Sequence, residues 1–139
     1  MLIYKKEVID ITCKWFEDSN NAKLWLQNND HEELVQLKNA LIRYDKGLEY
    51  LLLHKHVVLA AFVNAALGDK KAFKILMDKK EFVWAAVANL ILGDDKAALF
   101  LQKSNMNHYT HLATVILAKI RKVEDEGTSI FGGPFRVEK

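Results

Sequence analysis

The chain repeats itself every 25 residues, and that spacing limits its architecture more than any other feature. Residues 56–80 (HVVLAAFVNAALGDKKAFKILMDKK) align without a gap on 81–105 (EFVWAAVANLILGDDKAALFLQKSN), and ten of 25 positions are identical. The identities include Asn64/Asn89, Gly68/Gly93, Asp69/Asp94, Ala72/Ala97 and Leu76/Leu101. The frame extends back through 31–55, which keeps His31, Leu34, Asn39, Ala40, Ile42, Lys46 and Leu51. It continues more weakly through 6–30 (Val8, Ile9, Phe16, Ala22, Trp25, Leu26) and forward through Tyr109, Ala113, Ile116 and Leu117. A unit this short cannot bury its own apolar face, so neighbouring units must stack.

Each unit reads as helix A, a tight turn, helix B and a short link. In the third unit helix A spans about 56–67 and is apolar nearly all round, which predicts burial between neighbours. Gly68 fits a left-handed residue at its C-terminus. Asp69 follows where an N-cap belongs, and Ser19 and Asp94 hold the matching places. Helix B, about 70–78, sets Ala72, Ile75 and Leu76 at helical spacing and leaves Lys70, Lys71 and Lys74 to water. Ala22, Gly47, Ala72 and Ala97 share one position, small enough for B to approach A closely. Helices of about nine residues are marginal in isolation, so stacking must supply their stability.

Composition agrees. Half of the 139 residues are hydrophobic, enough for one domain with a core. The one proline, Pro134, leaves helices undisturbed until near the C-terminus. The expected architecture is therefore all-α: an α-α superhelix of about four hairpins (units about 6–30, 31–55, 56–80 and 81–105) with a capping helix over 106–126. The segment 127–139 changes character, and Gly127, Gly132, Gly133 and Pro134 predict a non-helical, extended tail. The longest apolar run, Val57 to Val63, falls short of the roughly 20 residues a membrane-spanning helix needs. The lone cysteine, Cys13, excludes an intrachain disulfide and points to a reducing, cytoplasmic setting.

The stretch AALGDKKAFKILM resembles the helix-turn-helix half of an ankyrin repeat: Ala-Ala before a glycine turn, then an amphipathic helix ending in paired aliphatics. The 25-residue period leaves no room for the β-hairpin finger of a 33-residue ankyrin unit, and Thr-Pro-Leu-His is missing. The resemblance therefore extends to short helical-hairpin repeats of the HEAT and ankyrin kind. It implies a module that binds other proteins or peptides.

Asn39, Asn64 and Asn89 occupy one position in three successive A helices. A buried amide needs partners. One reading is a ladder in which each Asn bonds a neighbouring helix and fixes the stacking. The other is a groove in which they bond the backbone of an extended peptide, as Asn does in armadillo repeats. Charges sort by turn. Asp18, Asp45, Asp69, Asp94 and Asp95 fall at the A-to-B turns, and Lys55, Lys79, Lys80 and Lys103 at the B-to-A links. Helix dipoles account for that sorting. The basic edge nonetheless offers a nucleic-acid surface, although net charge is only +2 and no aromatics interleave with the lysines.

Catalytic signatures are missing. There is no Gly-x-Ser-x-Gly, no phosphate loop and no His-Glu-x-x-His, and nothing calls for a cofactor or metal. His108 and His111 stand at i, i+3 without accompanying ligands. Trp15, Trp25, Trp84 and Tyr109 occupy core-like positions in the repeat frame. Ile130, Phe131, Phe135 and Val137 are too apolar for a solvated tail, and predict either a lid or a contact that forms a homo-oligomer. The leading expectation is a non-catalytic module that binds a protein segment. A nucleic-acid-binding solenoid and an enzyme with a site assembled across repeats are the alternatives.

Overall fold

The computed structural model describes residues 1–130, and side-chain surroundings as far as Glu126 with Asp45 excepted. The protein is all-α, with nine helices among the described residues. The A helices are α1 (Lys6–Phe16), α3 (Glu32–Leu41), α5 (Val57–Ala66) and α7 (Phe82–Ile91). The B helices are α2 (Asn20–Asn28), α4 (Asp45–Leu53), α6 (Lys70–Asp78) and α8 (Ala97–Lys103), and α9 (Asn107–Ile130) follows. No helix among the described residues is long and apolar enough to cross a membrane.

The backbone repeats with the sequence. Asp18, Arg43, Gly68 and Gly93 close the A helices at positive φ, and Asp30, Lys55, Lys80 and Asn105 close the B helices the same way. Each is followed by a hydrogen bond that reaches back five residues. Asp69 N donates to Asn64 O at 2.9 Å, and Glu81 N to Leu76 O at 2.8 Å. These are Schellman closures, which satisfy carbonyls that a helix end would otherwise leave bare. Only two of the eight are glycine. The other six are held left-handed at a cost of about 1–2 kcal/mol each.

Burial follows the same period. Ile9, Leu34, Leu59, Trp84 and Tyr109 stand 25 residues apart and are all fully buried, as are Leu26, Leu51, Leu76 and Leu101 on the B helices. Each such side chain is worth about 1.5–3 kcal/mol, which is what sustains helices this short. Gly47 marks the tightest A-to-B approach. A Cβ there would collide with Ala40 N and lie 2.8 Å from Asn39 C and Cβ.

Consecutive A helices pack on one another from α1 to α7, and α7 packs on α9. Each B helix rests on its own A helix and the next, and adjacent B helices stay apart. The stack then closes: α9 also packs along α1, so five helices form a ring with four B helices outside. Lys119 Nζ lies 2.7 Å from Asp18 Oδ2 across that seam. Lys38 Nζ, 2.8 Å from Asp18 Oδ1, also donates to the Trp15 carbonyl at 2.8 Å, which accepts from Asp18 N as well, and sits 3.6 Å above the Trp15 ring. A cation at a helix C-terminus is favoured by the dipole, and here it ties α1 to α3.

Two local expectations need correction. Asp69 and Ser19 do cap their helices through side-chain oxygens, but Asp94 does not open a regular helix. Its Oδ1 accepts from Lys96 N, the next turn closes by three-residue steps, and α8 begins only at Ala97. The last helix also runs past Gly127 to Ile130. A glycine inside a helix costs about 1 kcal/mol, which weakens a helix without ending it.

Candidate functional site

The B helices leave a trough between α6 and α8, floored by α7. Phe73 and Met77 form one wall, Phe100 and Ala97 the other, and Ala85, Ala86 and Asn89 lie on the floor. Its volume is about 320 Å³. A second depression at the turn end shares Phe73 and Asn89, so the trough continues toward Gly68 and Leu92. Met77, Phe82 and Phe100 are 41, 37 and 42 % exposed. The pattern extends along the outer layer: Leu52 and Leu53 on α4, Ile75 on α6 and Leu99 on α8 also face water. Large apolar side chains cost least inside, and a contiguous exposed patch marks a contact surface.

Asn39, Asn64 and Asn89 are all half-buried. The ladder expectation fails on geometry. The Asn39 side chain donates to Gln36 Oε1 at 3.1 Å, within its own helix, and no hydrogen bond among the described residues carries one Asn side chain to another helix. Their backbone carbonyls instead receive the Schellman bonds from Tyr44, Asp69 and Asp94. Lys14 does the same in the first unit, so this role does not require asparagine. The Asn89 side chain is left on the trough floor.

Lys55, Lys79, Lys80 and Lys103 are exposed on the B-to-A links. Asp30 holds the equivalent of Lys55 and Lys80 in the first unit, so the edge is not uniformly basic. The opposite edge mixes Arg43, Lys70, Lys71 and Lys96 with its aspartates. His108 is half-buried against Tyr109, and burial lowers its pKa. His111 is exposed. Among the described residues no three His, Cys, Asp or Glu side chains converge as metal ligands would. Cys13 is buried, and loss of solvation pushes its thiol up to about 12, far from the reactive range. Phe131, Phe135 and Val137 lie outside the described residues, as does the side chain of Ile130.

A polar cluster at the other end of the ring was not expected from the sequence. The N-termini of α3, α7 and α9 gather around residues 2–4. Leu2 N donates to Glu81 Oε1, Trp84 Nε1 donates to Leu2 O, Tyr4 N donates to the Tyr109 hydroxyl, and the Tyr4 hydroxyl donates to Glu33 Oε2. All four distances are 2.8 Å. Burial, and then the Glu33 charge, raise the Tyr4 phenol well above its ordinary pKa; burial pushes Tyr109 up to about 12. Both therefore stay neutral, Tyr4 as the donor to Glu33 and Tyr109 as the acceptor from Tyr4 N. Leu2-Ile3-Tyr4 is too short to register as an element, but the repeat frame holds a signal: Glu81 replaces the histidine of the two preceding units, and Trp84 replaces their leucine.

No family model, curated protein or solved structure matches this chain.

Proposed function

We propose that the protein is a non-catalytic interaction module, a short helical-hairpin solenoid of the HEAT and ankyrin kind closed into a ring. Its outer trough takes an apolar segment of another protein. One observation carries this reading: Met77, Phe82 and Phe100, from three helices, stand open around a single trough that half-buried Phe73 also lines. Two walls over a largely apolar floor suit an amphipathic helix laid between them, with anchors one turn apart. Asn89, alone among the floor residues in carrying a polar side chain, would fix the register by bonding the guest. An interface built this way draws most of its affinity from a few aromatic anchors.

Selection of displayed peptides on the immobilised full chain tests it. The expected winners carry large apolar residues at i, i+3 or i+4 spacing and lose binding to Phe82→Ser and Phe100→Ser variants. Enrichment of nothing, or of peptides indifferent to both substitutions, contradicts the reading. Binding that disappears at moderate salt would instead favour the lysine links and a nucleic-acid partner.

A further inference from the structure

The ring holds a piece of its own chain as a peptide site would hold a ligand. At Leu2 both main-chain groups are clasped, the N–H by Glu81 and the C=O by Trp84. Those two bonds read extended backbone, and the Leu2 side chain packs against the core, which favours a large apolar residue there. At Tyr4 the main-chain N–H meets Tyr109 and the hydroxyl meets Glu33. The ring of Tyr4 also stands edge-on to Trp84 and His31. Position 4 is therefore read for a tyrosine.

The four clasping residues are places where the chain departs from its own repeat. Glu33 stands where other units have Val8, Val58 and Val83, and Glu81 where they have His31 and His56. Trp84 and Tyr109 stand where they have Ile9, Leu34 and Leu59. Packing alone would not call for a carboxylate at Glu33 in place of valine, nor for the polar tips of Trp84 and Tyr109 in place of isoleucine and leucine. Carboxylates at Glu33 and Glu81, the latter only 6 % exposed, are costly unless matched to donors. Their donors come from residues 2 and 4. The segment is only partly buried: Leu2 and Tyr4 pack against the core, Met1 and Ile3 are 71 and 39 % exposed, and no residue before Val8 is fully buried.

We infer that this end of the ring is a second binding site, independent of the trough. It takes an extended segment of another protein with the pattern large apolar residue, any residue, tyrosine. Leu2–Tyr4 occupies it in cis as an exchangeable strap that a stronger segment displaces. Lys5, extended at φ −63° and ψ 152°, is the hinge before α1. That single residue also decides the source of the guest. A second copy could deliver its strap only by pressing its own ring against this face, whereas a segment of another protein is under no such restriction.

The test uses the full chain and a fluorescent peptide with the sequence of residues 1–6. The parent chain should bind it weakly, because the tethered strap competes at high effective concentration. Tyr4→Ala should bind it about tenfold more tightly or better, the loss expected for one charge-assisted hydrogen bond in the strap. Tyr4→Phe, which removes only the hydroxyl, should move the same way and serves if the alanine variant does not fold. Adding Trp84→Phe or Glu33→Gln to either background should weaken the peptide by about tenfold. A Tyr4→Phe chain that unfolds cooperatively yet takes up no peptide would overturn the inference. So would a parent chain that dimerises with concentration and is made monomeric by Tyr4→Phe, because the guest would then be a second copy.

Discussion

Lys119 Nζ donates to both carboxylate oxygens of Asp18, at 2.8 and 2.7 Å, although 101 residues separate them. The pair spans the seam between α1 and α9, and Lys38 joins it from α3. Three helices thus meet on one carboxylate that is itself half-exposed, with Lys119 and Lys38 both nearly buried. Asp18 also closes α1 at φ 71°. Asp18 therefore serves the closure through both backbone and side chain, at a seam where α1 packs along α9.

The first consequence is a pH dependence. Hydrogen bonds from Lys119, and then Lys38, hold the Asp18 carboxyl down to about 2. Its value in the unfolded chain is about 3.9. A depressed carboxylate stabilises the fold at pH above the unfolded value, and that contribution is lost as pH falls through about 4 toward 2. Asp18→Asn keeps a residue that tolerates positive φ and removes the charge. The urea midpoints of parent and variant should differ at pH 6 and converge near pH 2. A gap that persists unchanged to pH 2 would show that the charge is not its source.

Gly47 gives a steric prediction. Its added Cβ would meet backbone of α3, which can yield less than a side chain end. Gly47→Ala should cost about 1–3 kcal/mol despite alanine's better helix propensity. Equilibrium urea denaturation measures it. A neutral or stabilising result would mean that α3 and α4 are farther apart than described.

The left-handed positions make two opposite predictions. At Gly68, φ 105°, a Cβ meets nothing within 4 Å, so Gly68→Ala tests the backbone alone. It should destabilise by about 1 kcal/mol. Lys80 holds the equivalent closure of α6 at φ 61°. Lys80→Gly should stabilise by about 0.5 kcal/mol, the relief of strain less the added entropy of the unfolded chain. Thermal unfolding of both reads the signs, and matching signs would refute the assignment.

Much of the fold was legible because the repeat carries it. Position by position, the leucine of each B helix and the small residue beside it foretell which side chains are buried and how closely A and B approach. The Gly-Asp turn was legible in the two units that spell it out. It was hidden in the other two, where Arg43 and Asp18 adopt the same backbone, because packing around the turn outweighs a local preference of a kcal/mol or so. Closure of the ring was not legible. A repeat encodes contacts between neighbours, and Asp18 with Lys119 is a contact between ends. The strap was missed for a related reason. Three residues have no periodicity, and the partners of Leu2 lie near positions 81 and 84. What the sequence did hold were the departures from its own pattern at Glu33, Glu81, Trp84 and Tyr109, which gain meaning only once they converge in space. The Asn series misled in the opposite direction: regular spacing suggested a ladder, whereas the Asn39 side chain bonds Gln36 within its own helix and Asn89 lies on the trough floor.

Closure of the ring is the claim on which the seam and the strap site both depend. A nitroxide at Glu17→Cys, in a Cys13→Ala background, reports on it through paramagnetic broadening of backbone amides. Glu17 and α9 residues 115–122 border one depression at the seam. Closure predicts strong broadening of amides 115–122 along with those of the adjoining α2. Broadening confined to the first two hairpins, with 115–122 unaffected, would describe an open stack and contradict the account.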